Sequence, residues 1–195
     1  MTLFEDAIRF AAERHSGQKR KMSDSPYILH PLEVASIVGT MTSDDETLAA
    51  AVLHDTVEDA NVTFEEIEAR FGRRVSLLVM TETEEKRCER PAEETWKLRK
   101  KETLAILENT KDKSVKMMWL GDKLSNMRSF YRIHKVLGNS MWNSFNQKDP
   151  SMQKWYYEKI AEYLSDLSEY DAYAEFTALS AKVFAGIKDT EDEEN

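Results

Sequence analysis

Apolar residues recur at three- and four-residue intervals along almost the whole chain, and only six glycines and four prolines interrupt its 195 residues. That periodicity belongs to amphipathic helices, and so little punctuation leaves small room for many short strands and tight turns. The spacing predicts an all-α fold. Phe4, Ile8, Ala11 and Ala12 make one face of an opening helix that ends near Gly17, and residues 18–26 form a polar, basic loop. Pro31 suits the first turn of a second helix, with Leu32, Ala35, Ile37 and Val38 turned inward. Asp44 or Asp45 caps a third, whose run from Leu48 to Leu53 is apolar enough for deep burial. Thr63 and Glu66 have capping-box spacing and open a helix that Gly72 closes; a shorter one follows to about Thr81. Residues 82–94, with Pro91 and the lone Cys88, read as a charged loop. Further helices are expected from about Ala92 to Glu108, from Asp112 with Val115, Met118, Trp119 and Leu120 buried, and from near Pro150 and Asp171. An acidic tail, 189–195, ends the chain.

This length suits one domain with a real hydrophobic core, expected over residues 1–188. No segment approaches the roughly eighteen consecutive apolar residues of a membrane span. The N-terminus lacks the basic-then-apolar pattern of a signal peptide, and one cysteine allows no internal disulfide. A soluble, cytoplasmic protein with no membrane partner is expected. Against 36 acidic residues stand 27 Lys plus Arg, a net charge of −9, which excludes long nucleic acids as partners. A small polyanion remains possible where cations cluster locally.

The chemistry-bearing residues gather at a few places. His54-Asp55-Thr56-Val57-Glu58-Asp59 ends the apolar run, and on a continuing helix Glu58 lies one turn below His54 and Asp59 one turn below Asp55. Three carboxylates and an imidazole there call for a cation; the plain alternative is a solvated acidic helix end, which the helix dipole disfavours. Pro26-Tyr27-Ile28-Leu29-His30-Pro31 places a histidine just before a helix. Gly121-Asp122-Lys123-Leu124-Ser125-Asn126-Met127-Arg128 sets an aspartate inside an apolar helix, where it needs a cation or a hydrogen-bonding network.

Together with Phe10 to Lys21, Ser25 to Ala35, Val52 to Asp59 and Val62 to Gly72, that segment resembles the HD phosphohydrolases, and within them the hydrolase domain of Rel/SpoT-type alarmone enzymes and their small stand-alone relatives. The resemblance covers a motif-bearing core of about 7–130 and leaves a C-terminal helical part of about 135–188. It implies an HD-type helical bundle with additional C-terminal helices. It implies four metal ligands at His30, His54, Asp55 and Asp122, holding one divalent ion, Mn²⁺ by family preference. It also implies a catalytic acidic pair, Glu58 and Asp59, deprotonating a metal-activated water that attacks phosphorus. The implied substrate is ppGpp or pppGpp, losing its 3′-pyrophosphate to give GDP or GTP. Arg20 and Lys21 match the pair used against the nucleotide, and Asn126 and Arg128 match positions lining its pocket, though for Arg128 a structural salt bridge is nearly as good a reading.

Lys148, in the aromatic and amide stretch after residue 135, is a further candidate phosphate contact. The tryptophans and tyrosines of that stretch are read first as packing, His15 and His134 as structural or surface residues. Lys123 and Ser125 depart from the Arg and His more common in the alarmone enzymes, and the loop 22–25 is one residue longer than in the long bifunctional ones. Chemistry is little affected, but substrate identity stays open. Another nucleotide, such as the 2′-phosphate of NADPH, fits the same metal chemistry. A nucleotide-binding sensor without turnover and a metal-free helical interaction module are the readings from other classes.

Overall fold

The computed structural model describes residues 1–85, 87 and 89–190; Cys88 and the last five residues of the acidic tail lie outside the described residues. The helices run in the order α1 (Leu3–Arg14), α2 (Leu29–Val38), α3 (Asp45–Leu53), α4 (Thr56–Asp59), α5 (Phe64–Phe71), α6 (Arg73–Glu82), α7 (Ala92–Asn109), α8 (Lys113–Leu137), α9 (Pro150–Tyr163) and α10 (Asp171–Val183). Short 3₁₀ segments cover Gly138–Ser144 and Ser165–Leu167. Among the described residues there is no strand, only an isolated bridge between Lys19 and Pro26. The all-α expectation holds, and no described helix is long and apolar enough to cross a membrane.

Local chemistry sets the helix starts. Thr2 and Glu5 close a capping box on α1, and Thr63 and Glu66 close another on α5. Asp44 caps α3 by accepting from the Thr47 amide, while the Asp45 carboxylate accepts from Leu3 N at 3.0 Å and so ties α1 to α3. Gly72 turns the chain between α5 and α6 at φ 91°, a conformation costly for other residues.

Helix α3 lies at the centre. Every residue from Ala49 to His54 is buried, and α1, α2, α6 and α8 pack around it. The face of α1 toward it is Ala7, Phe10 and Ala11; Phe4 and Ile8 are half-buried, and Ala12, expected inward, is exposed. At about 3.6 residues per turn Ala12 sits about 100° round the helix from Ala11, beyond the edge of the buried stripe. In the first turn of α1 the Asp6 carboxylate accepts two hydrogen bonds from Arg70, both 2.9 Å, and one from Arg9. Those guanidiniums hold its pKa at about 2, below the usual 3.8. Its contribution to stability is therefore present above pH about 4 and lost as pH falls through about 2. A carbon-detected NMR titration of Asp6 should give that low midpoint; an ordinary midpoint would contradict the pairing.

Helices α2 and α8 approach closely at Gly121, where a Cβ would lie 2.8 Å from Val38 Cγ2 and 3.2 Å from the Val34 carbonyl oxygen. This contact sets α8, carrying Asp122, against α2, carrying His30. Gly121→Ala is expected to lower stability by about 1–3 kcal/mol in urea unfolding, as overpacking does. Unchanged stability would mean that the helices separate freely there.

Helix α10 packs along α8, α9 packs on α7, and the 3₁₀ segment after α8 folds back on it. Trp142, Phe145, Phe130, Tyr157 and Phe184 form one aromatic cluster at this end, with Trp142 stacked on Phe184 at 5.5 Å. The packing reading of Trp142, Tyr156 and Tyr157 agrees with their burial.

Candidate functional site

The chain does not continue as one helix through His54. Helix α3 stops at Leu53, His54 and Asp55 form a turn, and α4 begins at Thr56, so the expected one-turn stacking of Glu58 under His54 is interrupted. At this turn Asp55 Oδ2 lies 3.0 Å from His54 Nε2. From α2, His30 Nε2 lies 3.6 Å from the same oxygen and 3.1 Å from Asp122 Oδ1 on α8. His54 Nε2 is 3.9 Å from Asp122 Oδ1. The structure thus brings His30, His54, Asp55 and Asp122 together, and His30, His54 and Asp122 form a buried group able to hold a metal ion.

The ring tautomers fit that use. His54 Nδ1 lies 2.8 Å from the Ala51 carbonyl oxygen, which can only accept, so the proton sits on Nδ1 and the Nε2 lone pair faces the centre. That buried Nε2 makes no hydrogen bond among the described residues. Ligand atoms about 2.1 Å from a common ion and at right angles would lie about 3 Å apart, close to the spacings found. The charges also demand a cation. Burial opposes the His54 imidazolium, yet the Asp55 and Asp122 carboxylates hold its pKa up at about 10, as though a proton took the missing positive charge. At His30 burial prevails and the pKa is lowered. The residues fit a divalent metal ion.

Around this centre is a cavity of about 290 Å³. Glu58 lines it, and the Glu84 amide donates weakly to Glu58 Oε2 at 3.4 Å. Asp59 is exposed; Gln18 Nε2 donates to its backbone oxygen, and its carboxylate lies 3.2 Å from the Tyr27 hydroxyl. Tyr27 donates to Asp55 Oδ2 at 2.6 Å, so it holds a candidate ligand while its hydroxyl lies beside Asp59, the second residue of the acidic pair. Burial and the Asp55 charge raise its pKa, which keeps it a donor. The loop of residues 18–27 is closed by Tyr27 N donating to Gln18 O and Arg20 N to Ser25 O, which places Arg20 and Lys21 on the cavity wall. Arg20 donates to Asn126 Oδ1 at 2.6 Å, and Asn126 Nδ2 donates to Asp122 Oδ1 at 2.7 Å.

Two expected substrate contacts are placed elsewhere. Arg128 donates twice to Glu175, at 2.7 Å each, and once to Glu33 at 3.1 Å, and does not line the cavity. Lys148 is exposed and also outside the lining; Phe145, Asn146 and Gln147, just before it, reach the cavity instead. The salt-bridge reading of Arg128 is the one its geometry supports.

Sequence reasoning missed Glu82. It ends α6 with both carboxylate oxygens buried and no hydrogen-bond donor among the described residues, on the wall shared with His54. Burial first, then Asp122 and Asp55, push its pKa up to about 8 against the pull of His54 and Lys123. The signal was present: Val75, Leu78, Val79 and Glu82 share a helical stripe, so an acid there faces the core. Opposite, Lys123 is paired with Asp122 and stands over the Trp119 ring. Arg99 and Lys100 of α7 pair with Glu84, fixing that helix against the end of α6. A neighbouring cavity of about 250 Å³ has an aromatic wall of Trp96, Phe130, Phe145, Tyr156 and Tyr157.

Known proteins share this sequence and architecture. The HD domain family model matches residues 7–137. The guanosine-3′,5′-bis(diphosphate) 3′-pyrophosphohydrolase of Aquifex aeolicus is 41% identical over 125 residues, 64% of this chain but 17% of its own length. The chain therefore spans about a sixth of such long relatives. The guanosine-3′,5′-bis(diphosphate) 3′-pyrophosphohydrolase MESH1 of Xenopus tropicalis is 43% identical over 134 residues, 67% of this chain and 70% of its own. A metazoan SpoT ortholog, described as hydrolysing ppGpp and acting in starvation responses, is similar at TM-score 0.69 and 25% identity over 94% of both chains. The protein lmo0812 of Listeria monocytogenes is similar at TM-score 0.69 and 31% identity, over 84% of this chain and 99% of its own. With the family model matched over more than half its length, and with His30, His54 and Asp122 converging on one buried centre, the chain belongs to the HD domain family.

Proposed function

We propose that this chain is a Mn²⁺-dependent phosphohydrolase that removes the 3′-diphosphate of ppGpp or pppGpp as pyrophosphate, leaving GDP or GTP. The observation that carries the reading is the convergence of two imidazole Nε2 atoms on the carboxylates of Asp55 and Asp122, beside a cavity with cationic and aromatic walls. Two imidazoles and two carboxylates suit a first-row divalent ion. Such an ion, when bound, supplies Lewis acidity to a phosphoryl oxygen and to the attacking water. Glu58, on the cavity wall, would take the proton of the attacking water; the bond from the attacked phosphorus to the 3′-oxygen breaks, and that oxygen leaves with a proton as the 3′-hydroxyl of GDP or GTP. Asp59, held with Asp55 through Tyr27, keeps α4 in register with the centre.

Arg20 and Lys21, which line the cavity, oppose the charge of the two diphosphates; Lys100 and Lys123 line it as well, each paired with a carboxylate, Glu84 or Asp122. Asn126 links Arg20 to Asp122 and so ties substrate wall to metal centre. Phe130 and Phe145, the half-buried rings of the aromatic wall, offer π-faces to the base. Support also comes from the name of the Xenopus relative, most of whose length the chain covers, and from the ppGpp hydrolysis described for the metazoan SpoT ortholog.

The test is product analysis. Metal-stripped protein with Mn²⁺ restored should convert ppGpp to GDP and pyrophosphate in equal amounts on ion-exchange chromatography. Orthophosphate from NADPH or another nucleotide, with ppGpp untouched, would move the substrate. Tight ppGpp binding with no turnover would make the protein a sensor.

A further inference from the structure

His30 is held from behind by a chain of hydrogen bonds that leaves the metal centre altogether. Its Nδ1 lies 2.8 Å from Ser125 Oγ, and Ser125 Oγ lies 2.7 Å from Glu33 Oε2. Glu33 Oε1 accepts from Arg128 at 3.1 Å, and Arg128 donates twice to Glu175 on α10. His30 and Ser125 are buried; Glu33 and Arg128 are half-buried.

A hydroxyl has one proton to give. A carboxylate can only accept, so at 2.7 Å the Ser125 proton lies toward Glu33, and Ser125 presents lone pairs to His30. His30 must then carry its proton on Nδ1, which leaves the Nε2 lone pair facing Asp55 and Asp122. The opposite tautomer would draw the Ser125 proton to Nδ1 and leave two oxygens 2.7 Å apart with no proton between them. Arg128 in turn fixes Glu33, and Glu175 fixes Arg128, so Glu33 cannot swing away from the serine without breaking an ion pair.

We infer that Ser125 and Glu33 are the positioning residues of this metal centre, setting the His30 tautomer, and that Arg128 and Glu175 anchor them to the C-terminal helix α10. The inference rests on the metal reading above. It gives α10 a part in the chemistry that no side chain of its own reaching the cavity could explain. Outer hydrogen-bond partners of a metal-bound imidazole typically change affinity about 10–100-fold when removed.

The test is Mn²⁺ affinity, read by electron paramagnetic resonance of the free ion, on the full chain. Ser125→Ala should bind Mn²⁺ about 10–100-fold more weakly, and Ser125→Thr, which keeps the hydroxyl, should stay close to wild type. Glu33→Ala should also weaken binding, and the double variant should lose less than the two single losses combined, as members of one relay do. Long-range ¹H–¹⁵N correlations of His30 in the metal-free wild-type protein should show the Nδ1–H form, whether or not a variant folds. Wild-type affinity in folded Ser125→Ala, additive single losses, or an Nε2–H His30 would each overturn the proposal. Failure of the wild-type protein to bind Mn²⁺ at all would instead overturn the metal reading beneath it.

Discussion

Asp122→Asn is expected to weaken Mn²⁺ binding at least about a hundredfold and to cut ppGpp turnover on the order of a thousandfold. The side chain keeps its size, and an amide oxygen in the place of Oδ1 can still accept from Asn126, but the negative charge beside His30 Nε2 is lost. Asp122 is also the counter-ion of Lys123, whose pKa it holds well above the ordinary value despite burial. Breaking a buried pair from one side costs about 3–5 kcal/mol, so the single variant should melt earlier than wild type. The double variant Asp122→Asn with Lys123→Met separates the two effects. It should recover most of the thermal stability and none of the metal affinity. Recovery of both would place the ion elsewhere.

Glu58→Gln should behave differently. The residue lines the cavity on the short helix α4 and is not among the four atoms that converge on the centre. Mn²⁺ affinity and KM should stay near wild type while kcat falls about 10²–10⁴-fold, the range for losing a general base. The split between metal affinity and kcat is the informative part, because a ligand would lose both. A kcat equal to wild type would move proton abstraction to another carboxylate, and Glu82, buried on the same wall, is the first to replace next.

Much of this was legible in the sequence because it is local. Helical periodicity, the Thr63–Glu66 box and the Asp44 cap are short-range features, and the structure returns each of them. The candidate ligands stood out because His54, Asp55 and Asp122 interrupt apolar helices, where an ionisable group must be compensated. Misplaced features depend on contacts across the fold. The turn at His54 and Asp55 has no glycine or proline to announce it. For Arg128 the sequence leaves both a pocket contact and a salt bridge open, because nothing local reveals Glu175, 47 residues away on α10. Lys148 lies one residue beyond the part of its segment that reaches the cavity. Ser125 was visible as a departure from the alarmone enzymes, but its bonds to His30 and Glu33 span 95 and 92 residues. Glu82 could have been found by extending the α6 stripe one more turn.

In the proposed mechanism, hydrolysis depends on one divalent ion held by His30, His54, Asp55 and Asp122. The most direct measurement is a Mn²⁺ titration of metal-stripped protein in which bound ion and ppGpp turnover are read from the same samples. Turnover should rise in proportion to occupancy and level off at one ion per chain, with no rise in Asp122→Asn. Turnover at full rate before any ion is bound, or full occupancy with GDP never appearing, would contradict that mechanism.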